Sequence, residues 1–169
     1  MKSWGDGVTL GFSYIGLIWL IALYAPNIIW IKNKPKGYES LKKEDRILGI
    51  LERIGEVGVT MISPIYREFN PHGMSPRLLW LVVSAVCMIL YEVWWIRYFK
   101  SEKRLEDFYS GLFGIPVAGA VLPVAAFALL AVYGRNTHLA LFVVPLAIGH
   151  IGIHLNHLKE IKADKESEE

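Results

Sequence analysis

The sequence has little charge and almost no cysteine. Charged residues make up 20% of the 169 positions, and the net charge is +2 at pH 7. The basic residues lie in separate short segments, so no nucleic-acid partner is expected. Cys87 is the only cysteine, which rules out an intramolecular disulfide and a disulfide-rich secreted scaffold.

The common motifs of soluble enzymes are also missing. The sequence has no Walker-type phosphate loop, no Rossmann glycine fingerprint, no G-x-S-x-G elbow and no C-x-x-C pair. No segment between the apolar runs is long enough for a separate domain. Nucleotide chemistry of the soluble type therefore has no support.

Long apolar runs dominate what the sequence does contain. Hydrophobic residues make up 53% of the chain, and several runs approach or exceed the ~18 apolar residues typical of a membrane span. We predict an all-α polytopic membrane protein, with a single transmembrane domain over residues 1–169 that forms a five-helix bundle. The spans are expected at about 8–31, 47–66, 76–99, 111–133 and 138–158, followed by a solvated, frayed tail at 159–169.

The first apolar run is predicted to be a retained helix rather than a cleaved signal peptide. Lys2 alone supplies basic charge before it, the run is long, and no A-x-A site follows. The fourth run is predicted to be a packing helix capped by Ser110. Its small residues, among them Gly111, Gly114 and Ala118, permit close backbone approach.

The distribution of lysine and arginine predicts the orientation of the five spans. Thirteen basic residues fall in the first and third connections and the tail, whereas four fall on the other side: Lys2, Arg67, Arg77 and Arg135. By the positive-inside rule the N-terminus is outside and the C-terminus cytoplasmic, in a multi-pass protein of the plasma (inner) membrane. Aromatic side chains at both predicted boundaries suggest interfacial belts: Trp30, Trp94, Trp95, Tyr98 and Tyr109 inside, and Trp4, Trp80 and Tyr133 outside.

Ionisable residues interrupt the second span. Glu52, Arg53 and Glu56 lie within it, although a charged group at the membrane centre costs about 2.5–3.5 kcal/mol on insertion scales. Arg53 is within i,i+3 reach of Glu56, which leaves Glu52 without a local partner. One interpretation is a structural ion pair near the cytoplasmic end, with Glu52 reaching toward water.

Histidines on the fifth span and a carboxylate on the third lie at a similar depth. His150, His154 and His157 are spaced i, i+4, i+7, with Asn156 beside them, and the third span contributes Glu92. At 1.5 Å per residue these groups and the two glutamates of the second span lie about 6–14 Å from the cytoplasmic boundary. They are expected to converge in one polar layer, although His157 alone is compatible with an interfacial position.

Three hypotheses for function follow from this layer. In the first, the protein is a membrane-embedded enzyme acting on a lipid-like or small hydrophobic substrate, with an acid–base site formed by Glu52, Glu56, Glu92, His150 and His154. A metal-assisted version places a divalent metal ion on His150, His154 and Glu56, and Arg53, His157 and Asn156 are supporting residues.

The other hypotheses make the chain a transporter or small-ligand-binding membrane subunit, which would call for a homo-oligomer or a partner, or a structural, partner-binding membrane protein.

Overall fold

The computed structural model describes residues 9–168, and this part of the chain is helical, with two isolated β-bridges and no strand. The all-α prediction is confirmed. Seven helices form in the order α1 Tyr14–Trp30, α2 Arg46–Ile62, α3 Leu78–Lys100, α4 Leu105–Phe108, α5 Ala118–Gly134, α6 Thr137–Leu146 and α7 Gly152–Glu168. A π-helical turn, Ala147–Ile151, joins α6 to α7. Lys2, Trp4 and Val8, for which predictions were made, and the end of the tail at Glu169 lie outside the described residues.

Within residues 9–168, two helices are long and apolar enough to cross a membrane by length and composition. They are α3 and the continuous helix Thr137–Ser167 that comprises α6, the π-helical turn and most of α7. Helices α1 and α5 are apolar but shorter, with 17 residues each. Helix α2 also has 17 residues and contains the charged residues of the second predicted span.

The first helix begins later than predicted, at Tyr14 instead of residue 8. Ser13 caps it, because its hydroxyl accepts a hydrogen bond from the Gly16 amide at 2.9 Å. The residues before the cap are extended and pair with the end of α2: the Gly11 amide donates to the Ile65 carbonyl at 2.9 Å. Helix α2 correspondingly ends at Ile62 rather than at residue 66, shortly before Pro64.

The predicted start of the fourth span at Gly111 is wrong. Residues 111–117 form a loop, and α5 begins at Ala118. Pro116 disfavours helical geometry in the residue before it, and Phe113, Gly114 and Val117 have positive φ angles. The space around Gly114 is open, so this glycine makes no close helix contact. Ser110 does not cap α5, and its hydroxyl donates to the Asp107 carbonyl at 2.6 Å.

The tail is helical rather than frayed. Helix α7 extends the fifth predicted span to Glu168, and its last two turns are largely exposed to solvent. The continuous helix contains one irregularity, because Pro145 lacks the amide that would bond to the carbonyl one turn earlier. The π-helical turn that follows is a local adjustment of the kind by which apolar helices accommodate proline.

The aromatic residues at the inner end of α3 lie in the core, so the predicted interfacial belt is wrong there. Trp94, Trp95 and Tyr98 are 1–3% exposed, and Tyr109 is equally buried. Their rings pack around Phe108 of the short helix α4, at centroid distances of 5.1–6.1 Å. The i, i+1, i+4 spacing on α3 places three rings on the face that packs against α5.

The closest helix contact in the polar layer joins α2 to α6 and the π-helical turn. A Cβ atom added at Gly149 would lie 2.5 Å from the Leu48 carbonyl oxygen and closer still to the Glu52 amide nitrogen. An added Cβ at Gly55 would lie 2.5 Å from the Cα atom of Leu146. Glycine therefore permits the two backbones to touch, which fixes the π-helical turn directly against the polar residues of α2.

Candidate functional site

A cavity of about 220 Å³ lies in the middle of the bundle. Helices α1 to α6, the π-helical turn and α7 all contribute to its wall, which is mainly apolar and aromatic. Its polar lining residues are Tyr24, Asn27, Glu56, Thr60, Tyr91, His150 and His154. An enclosed apolar space with a few polar groups is the usual form of a small-molecule site.

A glutamate and a histidine form a short hydrogen bond at the cavity wall. His150 Nδ1 lies 2.6 Å from Glu52 Oε1, and the two side chains are 25% and 21% exposed, respectively. The close approach of Gly149 to α2 places the histidine opposite the glutamate. Because Nδ1 is engaged by the carboxylate, Nε2 is the ring nitrogen that remains for a proton acceptor or donor role.

Glu56 and His154 lie beside this pair. Glu56 is one helical turn after Glu52 and lines the cavity. Arg53 Nη1 lies 3.9 Å from Glu56 Oε2, but the Arg53 side chain is 81% exposed. The His154 ring packs against the His150 ring with centroids 4.7 Å apart. One carboxyl group and two imidazoles therefore line the cavity, and Glu52 contacts this group through His150.

An amide and two hydroxyl groups lie on the α1 side of the cavity. Asn27 Nδ2 donates to the Leu23 carbonyl at 2.7 Å and to Tyr91 Oη at 2.9 Å. Both hydrogens of the amide are thereby used, so its Oδ1 atom is the acceptor left for a ligand. Tyr24 and Thr60 are hydrogen-bonded to each other where α1 faces α2. Helix α1 itself packs mainly on α3 and the turn Arg67–Phe69.

Side chains fill the bundle around Trp19 and Ser84. Trp19 Nε1 donates to Ser84 Oγ at 2.9 Å, and Ser84 donates in turn to the Ala126 carbonyl at 2.7 Å. Phe127 and Leu130 of α5 are fully buried. This part of the bundle is therefore held together by buried packing and hydrogen bonds.

A third histidine lies between the cavity and the opposite end of the bundle. His157 is buried and its Nδ1 atom is 2.8 Å from Tyr109 Oη. Burial raises the pKa of the Tyr109 phenol. The phenol therefore stays protonated, and it donates its O–H to Nδ1 in the tautomer in which His157 carries its proton on Nε2.

The predicted site residues do not all lie together. Glu56, His150 and His154 line the cavity, and Glu52 joins them through its hydrogen bond to His150. Glu92 is outside this group, and its buried Oε1 atom has no hydrogen-bond partner within the described residues. The predicted supporting residues also separate.

Arg53 and Asn156 are exposed, and His157 binds Tyr109. These residues separate because they lie on different faces of their helices. The depth of a residue along a helix does not determine which face of the helix it occupies.

The predicted metal set is not assembled as a group. Among residues 9–168 no three or more His, Cys, Asp or Glu side chains are placed to hold a metal ion. His150, His154 and Glu56 line the same cavity, and His150 Nδ1 is bound to Glu52.

Sequence reasoning gave no site role to several residues that the structure places there. Tyr91, Trp94, Trp95 and Phe108 line the cavity, and Tyr109 contacts two of the histidines. Large aromatic residues recur on one face of α3, and this recurrence was the available signal. Residues that face lipid need not share one face of a helix, whereas residues that pack toward a neighbouring helix do. Tyr109 lies outside the regular spans, and no pattern pointed to it.

The chain was also compared with models of protein families, with curated proteins and with solved structures. None of these comparisons gives a match to any part of it. The arrangement of residues around the cavity is accordingly the basis on which function is inferred.

Proposed function

We propose that this chain is a multi-pass membrane protein that binds a small hydrophobic or lipid-like molecule in its cavity and exchanges protons with it. The observation that carries the proposal is the Glu52–His150 hydrogen bond at the wall of an apolar cavity that also contains Glu56 and His154. The proposed reaction class is acid–base chemistry.

Apolar side chains on the outer surface support a membrane location. Large hydrophobic residues are exposed along α1, α2, α3 and α6, including Ile21, Ile28, Ile54, Met61, Val86, Ile89, Leu141 and Val144. Soluble monomers rarely expose continuous apolar surface on this scale. The basic residues gather beyond one end of the helices, as the positive-inside rule requires for five spans with a cytoplasmic C-terminus.

The chemistry of the site follows from the hydrogen bond to His150. A carboxylate that accepts the Nδ1–H bond fixes the tautomer in which Nε2 carries the lone pair. Nε2 then takes a proton from a bound molecule, and Glu52 stabilises the imidazolium that results. Glu56, one turn away, supplies a second carboxyl group that can give or take a proton on the same molecule.

The paired acid and base favour chemistry over transport. Glu52 fixes the tautomer of His150 by a 2.6 Å hydrogen bond, an arrangement that general acid–base catalysis needs. The cavity is lined mainly by apolar and aromatic side chains, which suit a lipid-like or small hydrophobic substrate. We therefore place the enzyme hypothesis ahead of the transport hypothesis.

The first experiment asks whether the cavity retains a molecule and exchanges its protons. The purified protein in lipid nanodiscs is expected to retain an apolar compound, identified by mass spectrometry of the extract, that Val124→Phe excludes because position 124 lines the cavity. Val121→Phe is the matched control on the same helix, outside the lining. In D₂O the wild type should transfer deuterium into that compound, and Glu52→Gln should bind it without doing so. Equal retention by the wild type and Val124→Phe contradicts the proposal.

The second experiment tests the orientation. With Cys87 replaced by serine, a cysteine introduced at the exposed position His72 should react with a membrane-impermeant maleimide added to intact cells. A cysteine at the exposed position Lys36 should react only after the cells are lysed, because six basic residues hold the first connection inside. Labelling of position 36 in intact cells would be incompatible with the five-span arrangement.

A further inference from the structure

Four titratable side chains extend in a row from the cavity toward the cytoplasmic end of the bundle. The row begins at His150, whose ring contacts that of His154. The next member, Tyr109, contacts the His154 ring with centroids 5.3 Å apart, and its hydroxyl lies 2.8 Å from His157 Nδ1. Each member therefore touches the next, and the proposed chemistry at Glu52 and His150 uses neither Tyr109 nor His157.

The last member of the row reaches the surface. His157 is 6% exposed, yet it lines a surface groove of about 520 Å³. Charged side chains from two segments surround the groove: Lys42, Lys43, Glu44, Asp45, Lys159 and Glu160. Water and mobile protons at these carboxylates and amines thus lie next to a buried imidazole.

We propose that His154, Tyr109 and His157 form a proton relay that connects the cavity to the surface groove. The relay rests on the proposed function in one respect, since it supplies or removes the proton that the Glu52–His150 pair exchanges. The path itself depends on the contacts just described and needs no bound molecule. A buried acid–base site must regain its protonation state after each reaction, and this row joins the cavity directly to the groove.

Each step of the relay conserves protons. His154 accepts a proton from the His150 imidazolium on one ring nitrogen and gives the proton on its other nitrogen to the phenol oxygen of Tyr109. Tyr109 in turn gives its O–H proton to Nδ1 of His157, so neither an imidazolate nor a phenolate forms. His157, now protonated on both nitrogens, releases the proton on Nε2 to water in the groove. The reverse sequence delivers a proton to the cavity. The gap between the His154 and Tyr109 rings is one that a side-chain rotation or a single bridging water spans.

The surroundings of Tyr109 favour this path over others. Phe108 and the aromatic residues of α3 seal the cavity beside it. The row of imidazoles and the phenol is therefore the polar connection between the cavity and the groove.

The test measures how fast the ring N–H proton of His154 exchanges with D₂O, by NMR of histidine-labelled protein in nanodiscs. Tyr109→Phe keeps the ring and removes the proton carrier, and we expect exchange to slow by roughly 10²-fold, the effect typical of losing a positioned proton-transfer group. His157→Gln should slow it similarly. Tyr98→Phe is the matched control, because Tyr98 is also buried and its hydroxyl donates to the Asn33 carbonyl at 2.7 Å, away from the row.

Backbone amide exchange of α6 in the same samples separates a relay from a structural role. The relay predicts slower imidazole exchange with unchanged amide exchange. If Tyr109→Phe unfolds the bundle and amide exchange rises, His157→Gln decides the question. An unchanged imidazole rate in His157→Gln, or an equal loss in Tyr98→Phe, overturns the relay. No ligand is present, so failure here leaves the proposed function standing, and failure of ligand retention leaves the relay standing.

Discussion

Gly149→Ala is expected to lower the melting temperature of the protein by roughly 10 °C, corresponding to about 3 kcal/mol of overpacking. The added methyl group would meet the Leu48 carbonyl oxygen at 2.5 Å and the backbone nitrogen of Glu52 closer still. Backbone atoms cannot rotate away as a flexible side chain can, so the π-helical turn must move off α2. The same movement would break the Glu52–His150 hydrogen bond.

Gly49→Ala is the matched control for this prediction. Gly49 lies on α2 between Leu48 and Glu52, the two residues that an added Cβ atom at Gly149 would meet. Nothing lies within 4 Å of a Cβ atom added at Gly49 itself. Alanine there should leave the stability unchanged or raise it by up to ~1 kcal/mol, the helix-propensity difference between the two residues. Thermal unfolding of both variants in the same detergent measures the effect. Similar melting temperatures for the two variants would mean that α2 and the π-helical turn are not in backbone contact.

A double-mutant cycle on Glu52 and His150 is expected to give a coupling free energy of about 1.5–3 kcal/mol, the range for hydrogen bonds to charged groups. The two side chains are mostly buried and their atoms are 2.6 Å apart. Glu52→Leu alone leaves a buried imidazole without its partner, and His150→Leu alone leaves a buried carboxylate without its partner. The double variant should therefore lose less stability than the sum of the losses in the two single variants. Reversible unfolding of the four proteins gives the coupling.

The exposed pair Lys34–Glu39 provides the comparison. Its atoms are 2.9 Å apart, but the two side chains are 42% and 83% exposed. Exposed pairs are typically worth ~0.2–1 kcal/mol, so its cycle should give a clearly smaller coupling. Equal couplings for the two pairs would show that Glu52 and His150 do not form a desolvated hydrogen bond in solution.

The helical fold was predictable because apolar runs of sufficient length have few alternatives to a helix. The errors lie at helix ends, where local chemistry competes with hydropathy. Pro116 and three positive φ angles hold residues 111–117 in a loop, although the run is apolar throughout. At the first helix, the backbone hydrogen bonds around Gly11 and the Ser13 cap delay the helix to Tyr14. A hydropathy pattern carries no information on such pairings.

The depth of the candidate site residues along their helices was predictable from the sequence, but their hydrogen-bond partners were not. A rise of 1.5 Å per residue places Glu52, Glu56, His150 and His154 at one level, and the structure brings these four together. The partner of Glu52 could not be predicted, because it depends on the glycine contact between α2 and the π-helical turn. Glu92 is at the same level but on another face of α3, outside the cavity lining.

The π-helical turn at Ala147–Ile151 also sets the phase between the two halves of the long helix. A π-helical turn contains one residue more than an α-helical turn, so every residue after it is rotated by about 100° relative to an uninterrupted α-helix. Deletion of one residue there would restore a continuous helix and turn α7, with His154 and His157, away from the groups that α6 faces. The direction in which the histidines of α7 face thus depends on this one additional residue. Changes of chain length in this segment should therefore matter more than changes of side chain.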